Sequence, residues 1–384
     1  MKKAAEGAPE RLRLGWYQAV VPHYRASVVN RLAATPGLML TVFAGQPLAG
    51  ITHEDASPTL SCNVVRIRNV WPRRRRLPFA YAHGWTRMLT TRQSVIITSE
   101  STRDVVNWLL LALCRLFGTR LVVLGHIRLT RHEAKHVAPL RRLMVRAADG
   151  VMAYTDEGVR QALEWGVAPA CVGAIGNTLD LDRVARAKKS LDHDRVARLR
   201  EAHRLDGLVL LFIGRPTPWK RLDVAIDAVR CLRQRGLSAH LLVVGTGASI
   251  QHYVARAVGL EYVHFLGGIT DEDDLATVFA ATDVVVIPGA VGLAVNHAFA
   301  YGVPLVTSRS APHGPEMAIA EHDRNALLVE HCTPEAFADA LQGFAASQEQ
   351  RSTLRVGVAA TAVPTIESMV ASIVSIATRV ATRR

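Results

Sequence analysis

One stretch of 25 residues, 284–308, contains no charged side chain when histidine is counted as neutral. It is long enough to cross a bilayer, which takes about 20 apolar residues in a helix. However, Pro288, Gly289, Gly292 and Pro304 divide it into the pieces VVVIP, GLAVNHAFA and PLVTS. Continuous apolar strands are typical of parallel sheets that are covered on both faces. The stretch therefore predicts a buried strand, helix and strand rather than a membrane span.

The same alternation of strands and helices continues through the second half of the chain. Strands are predicted at 208–213, 241–244, 263–266, 284–287 and 305–307, and helices at 221–235, 249–258, 273–281 and 293–301. Repeated strand and helix pairs of this kind form a doubly wound parallel α/β sheet.

The first half has a looser version of this pattern. Its strands are predicted at 12–15, 38–43, 62–67, 95–98, 121–124, 151–154 and 172–175, and its helices at 27–34, 102–116 and 140–148. A chain of 384 residues has room for two domains. The charged stretch 185–205 is predicted to be helical or irregular and has the composition of a connection. We therefore expect domains at 1–185 and 186–363, with an amphipathic helix at 364–384 that packs back on the first domain.

The net charge of +13 lies almost entirely in the first half. Residues 1–180 contain 24 basic and 12 acidic side chains, whereas residues 181–384 contain 22 and 21. The basic residues include the run Arg73, Arg74, Arg75 and Arg76 and the helical pair Arg141 and Arg142. This pattern predicts contact with an anionic membrane surface, although a merely solvated basic surface has the same composition. Nucleic acid is disfavoured because no recognition motif is visible.

The five cysteines are widely spaced and form no CxxC pair. This spacing indicates neither a disulfide framework nor a zinc ribbon, so we expect a cytoplasmic location. The N-terminal residues lack the apolar core of a signal peptide.

The ends of the predicted strands carry the candidate ligand-binding residues, because ligands of open parallel sheets bind there. Gly214, Arg215 and Lys220 follow one strand, in a turn that suits a phosphate or diphosphate. The alternative is a pair of solvated cations. Gly245 and Gly247 follow the next strand without the GxGxxG spacing of a dinucleotide site.

The third strand end, IPGAVGLAVNHAFAYGVPLVTS, resembles the donor-binding segment EGFGLxxxEAMAxGxPVV of the family-four glycosyltransferases. Gly289 and His297 stand at the positions of the two glutamates. The segments FIGRPTPWKRLD, LVVGTG and SAPHGPEMAIAEHDRNALLV also resemble family segments, and the likeness covers residues 172–346. It implies the GT-B fold, in which two Rossmann-like doubly wound domains face each other across an inter-domain cleft.

The resemblance also implies roles for individual residues. Arg215 and Lys220 would hold the diphosphate and stabilise the charge of the departing nucleotide, and His126 would contact the transferred sugar or the phosphate. His126 could instead make only a local hydrogen bond, and Glu316 could serve only as a helix N-terminal carboxylate. The remaining donor-binding candidates are Gly214, Gly245, Gly247, Gly289, Val291, Gly292, Leu293, His297 and Glu316.

The function that the resemblance implies is hexosyl transfer from a nucleotide diphosphate sugar, with retention of anomeric configuration, no obligatory metal and no cofactor. The acceptor would be a saccharide or a lipid-linked glycan of cell-surface polysaccharide assembly, reached at the inner membrane face. Two alternatives stay open. One is a nucleotide-sugar epimerase of the same fold, and the other is a non-catalytic subunit that binds nucleotide sugars.

Overall fold

The computed structural model describes residues 11–46, 55–70, 80–127 and 137–383. The chain divides into two compact units, one of Met1–Asn177 with Thr365–Arg384 and one of Thr178–Pro364. The division after Asn177 lies earlier in the chain than the expected boundary at residue 185. The two units are described separately below.

The first unit contains a parallel sheet with helices between its strands. In its described residues the strands are β1 (Leu12–Gln18), β2 (Leu38–Ala44), β3 (Asn63–Arg66), β4 (Arg68–Val70), β5 (Tyr81–His83), β6 (Val95–Ser99), β7 (Arg120–Gly125), β8 (Gly150–Ala153) and β9 (Val172–Ala174). The helices are α1 (Ala26–Ala33), α2 (Thr86–Thr90), α3 (Val105–Leu113), α4 (Val137–Ala147) and α5 (Asp156–Glu164). The sheet order is β3-β2-β1-β6-β7-β8-β9, while β4 and β5 form a separate antiparallel pair.

Apolar side chains on both faces explain why this sheet is buried. Val95, Ile96 and Ile97 of β6 are fully covered, as an interior parallel strand requires. Helix α3 begins where the Asp104 carboxylate accepts a hydrogen bond from the Val106 amide. Val106, Asn107 and Leu110 of α3 are buried against the sheet's core.

The second unit repeats the architecture. Its strands are β10 (Leu208–Ile213), β11 (Ala239–Val244), β12 (Val263–Gly267), β13 (Val284–Ile287), β14 (Leu305–Ser308) and β15 (Ala326–Val329). Its helices are α6 (Leu181–Lys189), α7 (His193–Ala202), α8 (Leu222–Gln234), α9 (Ile250–Arg256), α10 (Glu272–Ala280), α11 (Ala294–Tyr301), α12 (Pro334–Ala346) and α13 (Gln348–Ala359). The strands are parallel in the order β12-β11-β10-β13-β14-β15.

The uncharged stretch 284–308 folds as β13, α11 and β14, and every residue of the two strands is buried. This confirms that the stretch is a strand, helix and strand of a parallel sheet. The two parallel α/β sheets likewise confirm the predicted fold class.

The stretch 185–205 is more regular than a connection. It contains most of α6 and all of α7, which begin where Asp180 and Asp192 accept hydrogen bonds from backbone amides of the first turn. These carboxylates stabilise the first turns of both helices, which the charged composition alone does not indicate.

Helix α14 (Ile366–Thr382) completes the first unit. It begins with a capping box at Thr365 and Ser368, and its face of Met369, Ile373 and Ile376 is buried in the first unit's core. An ion pair joins Arg31 of α1 to Glu367.

Candidate functional site

The two strands at the centre of the second sheet, β10 and β13, are neighbours in space but not in sequence. The chain runs outward from β10 through β11 and β12 and then returns to β13 on the other side. Such a switch point leaves an opening at the carboxyl ends of the two strands, where open α/β sheets bind ligands. Gly214 follows β10 directly, and Gly289 lies two residues after β13. The predicted donor-binding segments therefore meet at this edge.

The turn after β10 is packed closely against the end of β11. The Gly214 amide donates to the Val244 carbonyl at 2.9 Å. A Cβ on Gly245 would overlap the carbonyl oxygen of Gly214, and a Cβ on Gly247 would lie 2.9 Å from Cγ of Arg215. The two glycines of GTG therefore allow the backbone to lie close to Gly214 and to the side chain of Arg215.

Lys220 fastens this turn to the loop after β13. Its ammonium donates to the carbonyl oxygens of Ala290 at 3.0 Å and Val291 at 2.6 Å. In return, the Gly289 amide donates to the Lys220 carbonyl at 3.0 Å, and the Ala290 amide donates to the Trp219 carbonyl at 2.8 Å. We call residues 218–220 and 289–291, joined by these four hydrogen bonds, the Lys220 clamp.

Only glycine fits at position 289 of this clamp without distortion of the backbone. A Cβ at this position would overlap the carbonyl oxygen of Trp219 and lie 2.8 Å from the carbonyl carbon of Lys220. The local packing therefore leaves no room for a glutamate side chain at position 289. This part of the edge presents backbone groups at the position where the resemblance leads one to expect a carboxylate.

The ammonium of Lys220 in the clamp has a lowered pKa. Burial lowers the pKa of the Lys220 ammonium to about 8, and the nearby negative charge of Glu316 opposes that shift only in part. A lysine in this setting exchanges its proton close to neutral pH, so its charge responds to any anion placed beside it.

His313 is a further group near Lys220 that the sequence patterns did not indicate. Its Nε2 lies 2.6 Å from the Ser308 carbonyl oxygen, which can only accept, so Nε2 carries the proton. Its Nδ1 is buried and has no hydrogen-bond partner within the described residues. Burial lowers the pKa of His313; the hydrogen bond to the Ser308 carbonyl opposes this shift, and the charge of Lys220 adds to it. The only hint in the sequence is its place in the segment HGPE, three residues before Glu316.

His297 lies on α11, one turn beyond the clamp. Its Nε2 is 3.5 Å from Oε1 of Glu272, the first residue of α10. The Tyr301 hydroxyl donates to the same oxygen at 2.8 Å. Burial acts to raise the pKa of Glu272, but the hydrogen bonds and positive charge of its neighbours outweigh burial and lower it. His297 is therefore held by a carboxylate from the preceding helix.

His126 lies in the first unit, at the end of β7, where its side chain is exposed beside the ring of Tyr154. The Glu100 carboxylate accepts hydrogen bonds from the amides of His126 at 2.8 Å and Ile127 at 3.0 Å. Arg141 was expected on a basic surface, but its side chain is only 19% exposed and its Nε lies 3.8 Å from Glu100. Arg141 therefore forms an ion pair with Glu100, and only part of its side chain reaches the solvent.

Helix α4 presents a mixed face to the solvent. Arg142 and Arg146 are exposed on it beside Leu140 and Leu143, of which 44% and 56% are exposed. The run Arg73, Arg74, Arg75 and Arg76 lies outside the described residues. In the described parts of the chain, no helix has the length and apolar character of a membrane span, and no three metal-binding side chains are grouped as a metal site.

Comparison with known proteins shows that the second unit is similar to glycosyltransferases. Residues 207–347 match the family model of the glycosyl transferases group 1. A D-inositol 3-phosphate glycosyltransferase of Catenulispora acidiphila is 30% identical over 219 residues, which are 52% of this chain and 49% of the relative. A GDP-mannose-dependent phosphatidylinositol dimannoside mannosyltransferase of Mycobacterium tuberculosis is 34% identical over 107 residues, 27% of this chain and 28% of the relative.

The chain thus spans about half the length of the first of these relatives. Among solved structures, Anabaena HepE in complex with UDP matches with a TM-score of 0.71 at 17% identity, covering 94% of this chain and 98% of that one. This similarity shows the fold over nearly the whole chain. The family match is confined to the unit that contains the Lys220 clamp.

Proposed function

We propose that this protein is a glycosyltransferase that takes a hexosyl group from a nucleotide diphosphate sugar and transfers it with retention of configuration. One observation carries the proposal. The Lys220 clamp holds a half-buried ammonium at the switch point of a parallel sheet, five residues after Arg215, inside the segment that matches the glycosyl transferases group 1. HepE, which shares the fold, has been crystallised with UDP and with UDP-glucose.

The chemistry follows from the charges at this edge. A departing nucleoside diphosphate gains negative charge as the bond to the sugar breaks, and fixed cations lower that barrier. Two hydrogens of the Lys220 ammonium are used in the clamp, and the third can reach a phosphate oxygen. Arg215 supplies the second cation. We propose that the close-packed glycines, together with Val291 and Leu293, allow the backbone to approach the ligand, and that Glu316 contacts it.

The proposed acceptor is a lipid-linked glycan, reached at an anionic membrane surface. Leu140 and Leu143 beside Arg142 and Arg146 give α4 the combination of apolar and basic groups that peripheral helices use. Each basic residue close to an anionic surface contributes about 1 kcal/mol to binding.

The activity is tested by incubating the protein with UDP- and GDP-sugars in the presence and absence of bacterial lipid extract. Transfer gives a labelled lipid and free nucleotide, and NMR of the product shows whether configuration is retained. Conversion of the donor sugar without any acceptor would indicate an epimerase. Binding without turnover of any donor would indicate the non-catalytic subunit.

Membrane contact is tested by sedimentation with vesicles of phosphatidylglycerol or phosphatidylcholine. We expect binding to the anionic vesicles only, reduced by salt and by Leu140→Asp with Leu143→Asp. Val258→Asp is the matched control because that side chain is 78% exposed in the second unit. Equal binding to both vesicle types would contradict an electrostatic contribution.

A further inference from the structure

A buried arginine lies at the carboxyl edge of the first sheet. Arg25, in the short 3-10 helix His23–Arg25 that follows β1, is only 5% exposed. Its guanidinium donates to the Tyr154 hydroxyl at 3.1 Å and, more weakly, to the Met369 sulfur at 3.7 Å, and it pairs with no carboxylate of the described residues. Both of these partners are neutral. A buried charge is costly unless an opposite charge accompanies it, so Arg25 has the setting of a cation that awaits an anion.

Two aromatic rings cover the guanidinium of Arg25. Its Cζ lies 5.5 Å from the centroid of the Tyr24 ring and 5.7 Å from the centroid of the Tyr154 ring. Such contacts stabilise a cation over the faces of the rings. The N–H groups of a guanidinium point outward in its own plane, in a fork that matches two oxygens of a phosphate. The rings therefore hold the cation in place and leave this fork to a ligand.

The position of Arg25 in the sheet also favours a ligand. Strands β1 and β6 are neighbours, with β2 and β3 on one side and β7, β8 and β9 on the other. This is the switch point of the first sheet, where open parallel sheets bind ligands. Gln18, the last residue of β1, has a buried Oε1 without a hydrogen-bond partner in the part of the chain that the structure describes. An unpartnered acceptor and an uncompensated cation thus follow the same strand.

The carboxylate at this edge does not neutralise Arg25. Glu100 accepts a hydrogen bond from the His126 amide and forms its ion pair with Arg141. The exposed ring of His126 contacts the Tyr154 ring, with centroids 5.3 Å apart. Arg25 and His126 therefore contact the same tyrosine, and the positive charge of Arg25 remains at this edge.

We propose that Arg25 binds a phosphate group of the acceptor at the switch point of the first sheet. The assignment to the acceptor rests on the proposed function, which puts the phosphates of the donor in the second unit. A phosphate supplies the negative charge that Arg25 lacks and two oxygens for its N–H groups. A lipid-linked phosphate and a soluble sugar phosphate share this chemistry, and the experiment separates them.

The test measures, by calorimetry, the dissociation constants of glycerol phosphate and of dihexanoyl phosphatidic acid, a soluble lipid that carries the same phosphate. Arg25→Met removes the charge and keeps most of the length of the side chain, and it should weaken both at least about tenfold, as the loss of a charge-assisted pair does. Arg25→Lys keeps the charge without the fork and should weaken both by about threefold. Thermal unfolding without phosphate checks that the variants fold.

Matched variants locate the phosphate. Arg31→Met removes the same charge from an exposed arginine of α1 and should leave both constants unchanged. Lys220→Met removes the cation of the clamp and should retain the phosphate binding that Arg25→Met loses. Tighter wild-type binding of the lipid than of glycerol phosphate would assign the site to a lipid-linked acceptor, and equal binding would assign it to a soluble one.

Three results would overturn the inference and spare the proposed function. The first is unchanged phosphate binding in Arg25→Met, which would leave Arg25 a structural role only. The second is phosphate binding that Lys220→Met alone abolishes, and the third is a wild type that binds neither phosphate. Failure of every nucleotide to bind, with phosphate binding at Arg25 intact, would remove the proposed function and the assignment to the acceptor but not the phosphate site.

Discussion

The two sheets share a topology but hold opposite charges at their carboxyl edges. In the first unit, the Glu100 carboxylate follows β6 and accepts hydrogen bonds from the amides of His126 and Ile127. In the second unit, the Lys220 ammonium donates to the carbonyls of Ala290 and Val291. The backbone at the first edge is therefore hydrogen-bonded to a carboxylate of the protein, and the backbone at the second edge to an ammonium of the protein.

This difference shows how one architecture serves two purposes. Backbone amides attract anions at a strand end, but at β7 the chain supplies its own carboxylate, and a Cβ on Gly125 would overlap Glu100. At the second edge the Lys220 ammonium is bonded to neutral carbonyls, so its positive charge can be neutralised by an anionic ligand. This charge supports the proposal that a diphosphate binds at the second unit, although the first half of the chain has the larger net charge.

The largest expected effect comes from removing the cations of the second edge. Arg215→Ala with Lys220→Ala should lower sugar transfer by at least about a hundredfold, because each preorganised charge at a departing group contributes strongly. Nucleotide affinity, measured by calorimetry, should fall as well. Glu100→Gln is the control at the other edge and should leave nucleotide affinity unchanged. Unaltered transfer by the double variant would remove the diphosphate assignment.

A side chain at position 289 should open the clamp. Gly289→Ala forces Cβ into the Trp219 carbonyl, and overpacking of this kind costs about 1 to 3 kcal/mol of unfolding free energy. Gly343→Ala on α12 is the matched control, since nothing lies within 4 Å of a Cβ there and alanine favours a helix. Thermal unfolding measures both. A tolerated Gly289→Ala would show that the clamp is looser than described.

Nucleotide affinity should depend on the protonation of Lys220. The pKa of its ammonium is about 8 without ligand, and a bound diphosphate favours the charged form. Affinity should therefore be constant at lower pH and fall by up to about tenfold per pH unit above pH 8. Calorimetry in buffers of different ionisation enthalpy should detect proton uptake on binding. Constant affinity from pH 7 to 9.5 would contradict this coupling.

The smallest effect concerns the opposite edge of the second sheet. There Asp206, His240, His264 and His203 adjoin a cavity of about 900 Å³. Burial, with the nearby positive charges of His203 and His240, lowers the pKa of His264 to about 4 from an ordinary 6.5. Between pH 4 and pH 6.5 the unfolded chain therefore binds more protons than the folded chain.

Stability from His264 should be fully present above pH 6.5 and lost as pH falls toward 4, by on the order of 1 kcal/mol. His264→Gln should flatten this part of the stability profile, measured by chemical unfolding at each pH. His322→Gln alters an exposed histidine and should not. Identical profiles for His264→Gln and the wild type would contradict the assignment.

The sequence predicts those features that depend on local pattern. The β-branched runs of β10 and β13 and the turn residues that follow them suffice to locate the second sheet and its carboxyl edge. The charged helices α6 and α7 were less visible, because their stability depends on capping carboxylates and on packing against α10 and α11 rather than on an apolar pattern.

The contacts within the candidate site could not be predicted for a different reason. Lys220 is held by backbone carbonyls about 70 residues away, and carbonyls have no signature in the sequence. Glu272 and His297 lie on separate helices, and His313 is distinguished only by a buried nitrogen without a partner among the described residues. Such features follow from the tertiary structure alone.

The most direct test of the central claim is the thermal stability of the wild-type protein and of Lys220→Met with UDP, GDP, dTDP and ADP. A nucleotide at 100 times its dissociation constant adds about 2.7 kcal/mol to the free energy of unfolding. We predict such stabilisation of the wild type by one of the four and its loss in Lys220→Met. No stabilisation by any of them, or an equal shift in the variant, would contradict a nucleotide site at the Lys220 clamp.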